Sequence, residues 1–254
     1  MPIKSDDPDY VTSLARGLGI IACFGQNAET LTLSEIAMRI NLSRGTTRRF
    51  LLTLEALGYL RCDGKRFRLS PKTLDLGYAY LSSVPLWRVA LPLMQDVVDE
   101  IDESCSLGVL EKCDVVYIAR TPPKHLSYLP LSAGARMPAH SNAMGQVLLA
   151  NLSSDELDSY FRKAKLEKLT KHTMTDEKTI RGALAVIAKS GYAFSDGQTH
   201  ATIRSIAVPI RTRLGRVEAS LNVSAYESRA SKQQMLRHFL PVLQRAAAQL
   251  SRTL

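Results

Sequence analysis

The 254-residue sequence lacks several features that would assign it to a large class of proteins. No segment approaches the roughly 18 unbroken apolar residues of a membrane span, so we expect no transmembrane helix. The segment Met1–Tyr10 is acidic and contains proline, unlike a secretory signal peptide, and we therefore expect a cytoplasmic protein. Only 6% of the residues are aromatic, yet 45% are apolar and many fall in periodic runs, which excludes a wholly disordered chain.

Motifs typical of enzymes are also missing. The four cysteines are scattered without a CxxC pair, which predicts reduced thiols rather than a disulfide framework or a clustered zinc site. None of the five histidines stands in an HExxH pattern, and there is no GxSxG, P-loop or GxGxxG motif. We therefore expect no metal, no cofactor and no enzyme activity. A nucleophilic Cys105 or Cys113 with a distant histidine is the remaining alternative, although small buried thiols are commoner.

Basic residues outnumber acidic ones, 33 to 24, and part of this surplus is concentrated in one segment. Between Arg39 and Lys72 the chain has nine lysines and arginines but only two acids, Glu55 and Asp63. A surplus of about six also extends over residues 86–254. The local concentration indicates a polyanionic partner for the first segment, whereas ordinary solvated charge explains the rest.

The first 70 residues have the pattern of a winged helix-turn-helix. Helical periodicity places Leu14, Leu18 and Ile21 on one face. The predicted helices are Val11–Phe24, Leu33–Ile40 and a third helix that Ser43 caps and that ends near Leu57, and the predicted strands are Tyr59–Cys62 and Arg66–Leu69. Asp63-Gly64 favours a tight hairpin between the strands.

The segment that follows, residues 71–85, reads as a linker helix with an apolar stripe. Leu74, Tyr78 and Leu81 recur at helical spacing, and little chain nearby can cover them. We expect a partner subunit to cover this stripe. The alternative is that the helix packs back onto the wing, which is the hairpin formed by the two predicted strands.

Residues 86–254 alternate strands and helices. We predict an α+β domain with one mixed sheet flanked by helices. Its elements include a strand at Leu126–Leu131, a short helix at Ser141–Ala150 and a capping box at Ser153-x-x-Glu156. Three regions result: a DNA-binding domain (1–70), a linker helix (71–85) and a larger domain (86–254).

The recognition helix of a helix-turn-helix enters the major groove with its N-terminal end nearest the bases. Arginine in that position pairs with guanine or grips phosphate. Gly45 is a poor helix former, which close approach to DNA would explain, with simple tolerance near a helix start as the alternative. The residues predicted to bind DNA are Ser43, Arg44, Gly45, Thr46, Arg48 and Arg49 on the helix and Arg61, Lys65 and Arg66 on the wing, which also carries Arg68.

Three stretches together resemble IclR-family bacterial transcription regulators. They are LTLSEIAMRINLSRGTTRRFLLTLEALGYLRCDGKRFRLSPKTLDLG, MPAHSNAMGQVLLA and GYAFSDGQTHATIRSIAVPIR. The resemblance runs from about Tyr10 to Leu250 in the family's order. The stretches SDDPDYVTSLARGLGII and ESCSLGVLEKCDVVYIAR are closer still to the regulators of protocatechuate and β-ketoadipate catabolism within that family.

The resemblance implies a GAF-like effector domain with a pocket on one side of its sheet. The family's polar effector-binding positions fall on Ser195, Ser205, Asn222 and Ser224, its backbone contact on Ala143 and Met144, and its apolar walls on Leu126, Leu129, Met137 and Ile203. A helix beginning near Ser141 would offer N–H groups to a carboxylate.

The sequence departs from the family at one place. Many members carry acids where this chain has Gly197–His200, and another acid where Ser195 stands. Without these carboxylates an anionic effector is repelled less. Their loss also weakens the inference that this chain binds the same ligand as any particular family member. His200, Arg120 and Arg204 are candidate partners for such an anion, with ordinary surface roles as the alternative.

We therefore predict a regulator of catabolic genes that binds a double-stranded operator and senses a small aromatic or dicarboxylic acid. The resemblance implies a homodimer or tetramer. The alternatives are a small-acid-metabolising enzyme with a vestigial DNA-binding module and a sensor that acts through protein partners alone.

Overall fold

The computed structural model describes residues 6–25, 28–125 and 132–253. The chain forms two compact units, one reaching to Tyr80 and one beginning at Leu81. Each unit has its own buried core and is described separately. In the part of the chain that the structure describes, no helix is both long and apolar enough to cross a membrane.

The N-terminal unit is three helices, a three-stranded sheet and a further helix. Its elements are α1 (Thr12–Ile21), β1 (Leu31–Thr32), α2 (Leu33–Arg39), α3 (Arg44–Ala56), β2 (Leu60–Asp63), β3 (Arg66–Leu69) and α4 (Leu74–Ser83). The sheet order is β1-β3-β2, with both pairings antiparallel. The predicted helices and hairpin are confirmed, whereas the two-residue β1 carries too short a pattern to be recognised in sequence.

Caps and glycines fix where these elements begin and turn. The Thr32 hydroxyl accepts the Glu35 N–H while the Glu35 carboxylate accepts the Thr32 N–H, which is a complete capping box. Ser43 caps α3, as predicted, by accepting the Thr46 N–H at 3.2 Å. Gly64 adopts φ +63° in the two-residue hairpin turn, a conformation that favours glycine.

The core of this unit lies between α1, α2, α3 and the sheet. Ile20, Ile36 and Leu51 are fully buried there. Leu14 and Leu18, which the periodicity placed on the same face of the first helix as Ile21, are instead exposed. A hydrophobic repeat identifies one apolar side of a helix but does not show what covers it.

The linker stripe divides between the two units. Leu74 and Tyr78 on α4 are 74% and 63% exposed. Leu81 is partly buried and packs against the core of the C-terminal unit. Only two residues of the predicted stripe are therefore exposed, because the third packs within the chain.

The C-terminal unit is an α+β domain around one six-stranded sheet. Its elements are α5 (Pro85–Ile101), β4 (Ser104–Glu111), β5 (Asp114–Thr121), β6 (Arg136–Pro138), α6 (Ala143–Leu149), α7 (Ser154–Lys163), α8 (Glu177–Ser190), β7 (Ala193–Asp196), β8 (Ile203–Arg211), β9 (Val217–Tyr226), α9 (Lys232–Gln234) and α10 (Leu240–Ser251). A π-helical turn, Met235–Phe239, joins the last two helices.

The sheet order is β6-β5-β4-β9-β8-β7, and every pairing is antiparallel. The α+β class is confirmed, but the expected mixed sheet is wrong. Two hairpins, β4–β5 and β8–β9, meet through antiparallel pairing of β4 with β9, so no helix has to carry the chain back to a parallel strand.

Strict alternation along β9 gives the sheet two different faces. Leu221 and Val223 point into an apolar core formed with α5 and α10. Ser220, Asn222 and Ser224 alternate with these residues and therefore belong to the opposite face, against which α6 packs. The sheet therefore has one apolar face that packs in the core and one polar face that can form part of a binding site.

Two predicted elements of this unit need correction or fall outside the description. The helix expected from Ser141 begins at Ala143, because Ala139–Ser141 forms a 3₁₀ turn and Asn142 is the N-cap. The strand expected at Leu126–Leu131 lies outside the described residues.

Candidate functional site

The first candidate surface is the N-terminal end of α3. Thr47 is buried and its hydroxyl donates to the Ser43 carbonyl, which ties the start of the helix to the core. Arg44, Arg48 and Arg49 are exposed around this anchor. The helix thus holds three guanidinium groups outward at the end that enters a groove in helix-turn-helix proteins.

Gly45 has no structural reason to be glycine in this unit. A Cβ built on it meets no atom within 4 Å, and its φ is not positive. Open space around the position is consistent with a surface kept free for something outside the protein. The neighbouring residues named for DNA binding, Ser43 and Thr46, form the cap itself, with a 2.9 Å bond between their hydroxyls.

The wing between β2 and β3 adds a second basic surface. Arg61 and Arg68 lie directly opposite each other on the hairpin, and both are exposed, as is Lys65 at the turn. Like charges directly across a strand pair destabilise a sheet. A polyanion placed over the wing would remove this repulsion.

Arg66 differs from the other wing residues because the fold already uses it. Its Nε donates to the Thr30 hydroxyl at 3.1 Å, and its Nη1 lies 3.9 Å from Glu35. Its side chain is half exposed, so this ion pair is weak. Part of the Arg66 guanidinium is therefore already engaged within the fold.

The second candidate site is a cavity of about 150 Å³ between α6 and the polar face of the sheet. A cavity of this size holds one benzene ring in another protein. Seven residues predicted for the effector line it, and four others join them. The predicted ones are Met137, Ala143, Met144, Ile203, Ser205, Asn222 and Ser224; the additional ones are Tyr117, Asn142, Thr199 and His200.

One predicted residue that the structure describes, Ser195, does not line the cavity. Ser195 is buried on β7, directly opposite Ser205, so it stands one strand away from the wall. Leu126 and Leu129 lie outside the described residues.

A hydrogen-bonded polar network covers the sheet side of the cavity. The Ser205 and Ser224 hydroxyls are 2.9 Å apart, and the Asn222 amide nitrogen donates to the Ser224 hydroxyl at 2.9 Å. Ser104 donates to the Ser224 carbonyl from the next strand. The Asn222 Oδ1 atom is buried and has no hydrogen-bond partner among the described groups.

Close packing brings α6 against this network. A Cβ on Gly145 would lie 2.1 Å from the Ala139 carbonyl oxygen, and one on Gly108 would lie 3.1 Å from the Met144 sulfur. Gly108 therefore lets α6 pack closely on the sheet, and Gly145 lets α6 pack closely on the preceding 3₁₀ turn. The Asn142 side chain accepts the Gly145 N–H at 2.8 Å and orients the first turn at the cavity wall.

The loop that carries Thr199 and His200 is fixed by bonds from distant segments. The Thr199 hydroxyl donates to the Ser141 carbonyl at 2.8 Å, and Gln146 bonds to Gln198 at 3.2 Å. Thr173 donates to the Gln198 carbonyl at 2.6 Å. The Gly197–His200 segment, which the sequence marked only as a departure from a family pattern, thus forms part of the wall.

Of the three anion partners considered from sequence, His200 lines the cavity, and the other two do not. Arg204 is bound by Asp196 at 3.0 Å and by the Glu227 and Ala230 carbonyls, so it serves the fold. Arg120 lies opposite Ser106 on β4, and burial lowers the pKa of its guanidinium.

Tyr117 brings a phenol to the cavity that sequence reasoning did not select. Burial raises its pKa to about 12, so the hydroxyl stays neutral and protonated at physiological pH. The protonated hydroxyl can therefore donate a hydrogen bond to a bound anion. Its hydrophobic strand context gave no sign of this role.

Comparison with known families matches both units of the chain. The IclR helix-turn-helix domain matches residues 13–64, and the bacterial transcriptional regulator IclR C-terminal domain matches residues 78–252. The matched families and curated relatives are transcriptional regulators, which indicates a regulator rather than an enzyme.

Individual relatives cover nearly the whole chain. The Pca regulon regulatory protein of Pseudomonas putida is 38% identical over 96% of this chain and 84% of its own length. The p-hydroxybenzoate hydroxylase transcriptional activator of Acinetobacter baylyi is 32% identical over 95% of this chain and 91% of its own. The crystal structure of a homologue from Microbacterium hydrocarbonoxydans complexed with 4-hydroxybenzoate superposes with a TM-score of 0.82 at 26% identity, covering 95% of this chain and 98% of that one.

Proposed function

Because the chain belongs to the IclR family of bacterial transcriptional regulators, we propose that it controls catabolic genes in response to a small aromatic or dicarboxylic acid. The N-terminal unit binds operator DNA, and the C-terminal unit binds the acid. The chain acts where its operator is, in the cytoplasm, and needs no cofactor for either task. The observation that carries the proposal is the hydrogen-bonded chain of Ser205, Ser224 and Asn222 beside a cavity of one-ring size.

The DNA half of the proposal rests on where the exposed arginines stand. Arg48 and Arg49 on α3 and Arg61 on the wing are exposed and anchored on packed elements. Helix arginines of this kind read base edges, and wing residues contact phosphate. Ser43 and Thr46 position the helix, because their hydroxyls are already used in its cap.

The acid half of the proposal rests on the mixed lining of the cavity. Met137, Met144 and Ile203 supply an apolar wall, and the serines supply hydroxyls. Such a lining buries a ring or short chain and orients its polar ends. Two of the relatives act in protocatechuate and p-hydroxybenzoate pathways by name, and a solved homologue holds 4-hydroxybenzoate, which supports an acid of this class.

Assembly into a homodimer or tetramer is part of the proposal. Exposed apolar side chains collect on α1 and α4, with Leu14 and Leu18 on the first helix and Leu74 and Tyr78 on the last. Exposed apolar side chains gathered on a helix are typical of an interface. A dimer repeats its DNA contacts, so the operator should contain two related half-sites.

Binding to DNA from upstream of its own gene tests the DNA half. We expect the affinity to fall linearly with salt on logarithmic axes, because each neutralised phosphate releases counterions. Competition with unrelated DNA of the same length is the control. An affinity that does not depend on sequence would contradict operator recognition.

Calorimetry with protocatechuate, 4-hydroxybenzoate, β-ketoadipate and glyoxylate tests the acid half. Binding of one of the first three, and weak or absent binding of glyoxylate, is the expected result. Tight binding of glyoxylate alone would reject the assignment to aromatic catabolism.

A further inference from the structure

A second cavity, of about 690 Å³, lies in the C-terminal unit between the β4–β5 turn and α7, and we call it the α7 cavity. Among the described residues it shares no lining residue with the cavity beside α6, and its volume is more than four times larger. The proposed function gives the α7 cavity no role.

Part of the lining of the α7 cavity is apolar. Leu110, Cys113 and Leu152 are half-buried there and pack against an apolar core of the unit, and Tyr160 is buried. Burial and the adjacent Asp114 raise the pKa of the Cys113 thiol, so the sulfur stays protonated and uncharged at physiological pH. These groups offer an apolar ligand a surface that carries no charge.

The two carboxylates at the rim of the α7 cavity already have partners within the protein. Glu156 accepts the Ser153 N–H and hydroxyl, both at 2.9 Å, in the capping box of α7. Asp114 lies 3.8 Å from the Arg136 guanidinium. Neither acid is therefore left to attract a cation on its own.

The basic residues of the lining, Lys112 and Lys163, have no such partners. Both are exposed, and among the residues that the structure describes neither ammonium group has a carboxylate within 4.0 Å. Lys163 lies close enough to the Cys113 thiol to oppose the rise in its pKa, which places this lysine near the apolar lining. The uncompensated charge at the rim is therefore positive.

The backbone of Lys112 points to a role for its side chain. Lys112 and Cys113 form the two-residue turn between β4 and β5, because Glu111 pairs with Asp114. Lys112 has φ +59°, and glycine is the usual residue where the first position of such a turn has a positive φ. A lysine in this conformation destabilises the turn relative to glycine, and backbone strain of this kind collects at functional sites.

From these observations we infer that the α7 cavity binds a second ligand, an amphipathic carboxylate whose apolar body is larger than one ring. The ammonium groups of Lys112 and Lys163 attract its carboxylate, and its apolar body covers Leu110, Leu152 and Tyr160. A neutral molecule of the same shape lacks the charge that the lysines attract, and a cation is repelled by them. The protein thereby receives a second small-molecule signal, separate from the acid bound beside α6.

Calorimetry on the full-length protein with octanoate, 1-octanol and octylamine tests this inference. We expect octanoate to bind about ten-fold more tightly than 1-octanol, since each exposed ion pair contributes up to roughly five-fold, and octylamine to bind more weakly still. In the double variant Lys112→Gln, Lys163→Gln this preference should fall to within about two-fold. The matched control is Lys178→Gln with Lys189→Gln, which removes two exposed lysines of α8 that do not line the cavity and should keep the wild-type preference.

The strained turn gives a second readout. Lys112→Gly should raise the thermal unfolding midpoint, because glycine adopts φ +59° without strain. The same variant should bind octanoate up to roughly five-fold more weakly, because one ammonium group is lost. Wild-type octanoate affinity in Lys112→Gly would contradict the role assigned to this lysine.

Alkylation of the cysteines locates the bound octanoate. Saturating octanoate should slow the reaction of the half-buried Cys113 with iodoacetamide at least about three-fold, because access to the thiol controls its reaction. The exposed Cys62, in the N-terminal unit, should react at an unchanged rate. Ser224→Ala should bind octanoate as the wild type does, because Ser224 lines the cavity beside α6 and not the α7 cavity.

Three results would overturn the inference: absence of octanoate binding, equal binding of octanoate and 1-octanol, and bound octanoate that leaves Cys113 unprotected. Loss of octanoate binding in Ser224→Ala would place the ligand beside α6 and would also overturn it. The first three results leave the proposed function intact, since that function concerns the other cavity.

Discussion

At the scale of single residues, the clearest signal is a glycine that the fold does not require. Gly45 sits in the first turn of α3 with open space around it, so Gly45→Ala should stabilise the protein by up to about 1 kcal/mol through helix propensity. The same change should weaken operator binding if DNA approaches the backbone there. Chemical denaturation followed by circular dichroism and a DNA titration on one sample would measure both effects. An unchanged operator affinity would show that the glycine is merely tolerated.

Substitutions of Arg48 and Arg49 test whether α3 is the recognition helix. Arg48→Ala and Arg49→Ala should leave the fold intact because both side chains are exposed. Loss of a base contact should cost about 1–3 kcal/mol and relax specificity at one position, whereas loss of a phosphate contact should lower the salt slope by about one. Arg66→Ala is the informative comparison, since Thr30 and Glu35 already hold that guanidinium and a smaller loss is expected. Unchanged binding of both helix variants at several salt concentrations would place a different helix in the groove.

At the scale of secondary-structure elements, the exposed stripe on α4 determines the expected assembly. Leu74→Asp with Tyr78→Asp places two charges on an apolar surface and should dissociate the oligomer, which light scattering measures. Leu81 is unsuitable for this test because it packs within its own C-terminal unit. Leu214→Asp, at an exposed leucine in the β8–β9 turn, is the control. An oligomer that survives the α4 substitutions would mean that this stripe faces solvent or its own subunit.

Sequence pattern predicts elements well where local chemistry decides them. The α3 cap at Ser43, the capping box at Ser153 and the hairpin turn at Gly64 all depend on residues within a few positions of each other. Local signals of this kind are strong because the bonds form inside the element. The winged helix-turn-helix followed directly from them.

The parts of the site that sequence did not reveal are held by long-range bonds. Thr199 reaches the cavity because it bonds to Ser141, 58 residues earlier, and Tyr117 does so through the pairing of its strand. The helix α6 begins at Ala143 rather than at the predicted Ser141, because a 3₁₀ turn precedes it. The antiparallel order of the sheet depends on the pairing of β4 with β9, which are far apart in sequence. No periodicity within a segment carries such information.

At the scale of the whole molecule, we propose that DNA binding by the N-terminal unit and acid binding by the C-terminal unit are thermodynamically linked. An acid that binds the C-terminal unit should change operator affinity by a factor of about 5 to 150, in either direction. Ser224→Ala should weaken acid binding roughly ten-fold by removing one hydrogen bond, and should leave operator affinity without acid unchanged. These two results together separate ligand sensing from a general loss of structure.

The most direct test of this central claim is an anisotropy titration of labelled operator DNA, with and without the tightest-binding acid, for the wild type and Ser224→Ala. We expect the acid to shift the wild-type binding curve and the variant to need about ten-fold more acid for the same shift. An operator affinity that stays the same when the wild-type acid site is saturated would contradict linkage between the two sites.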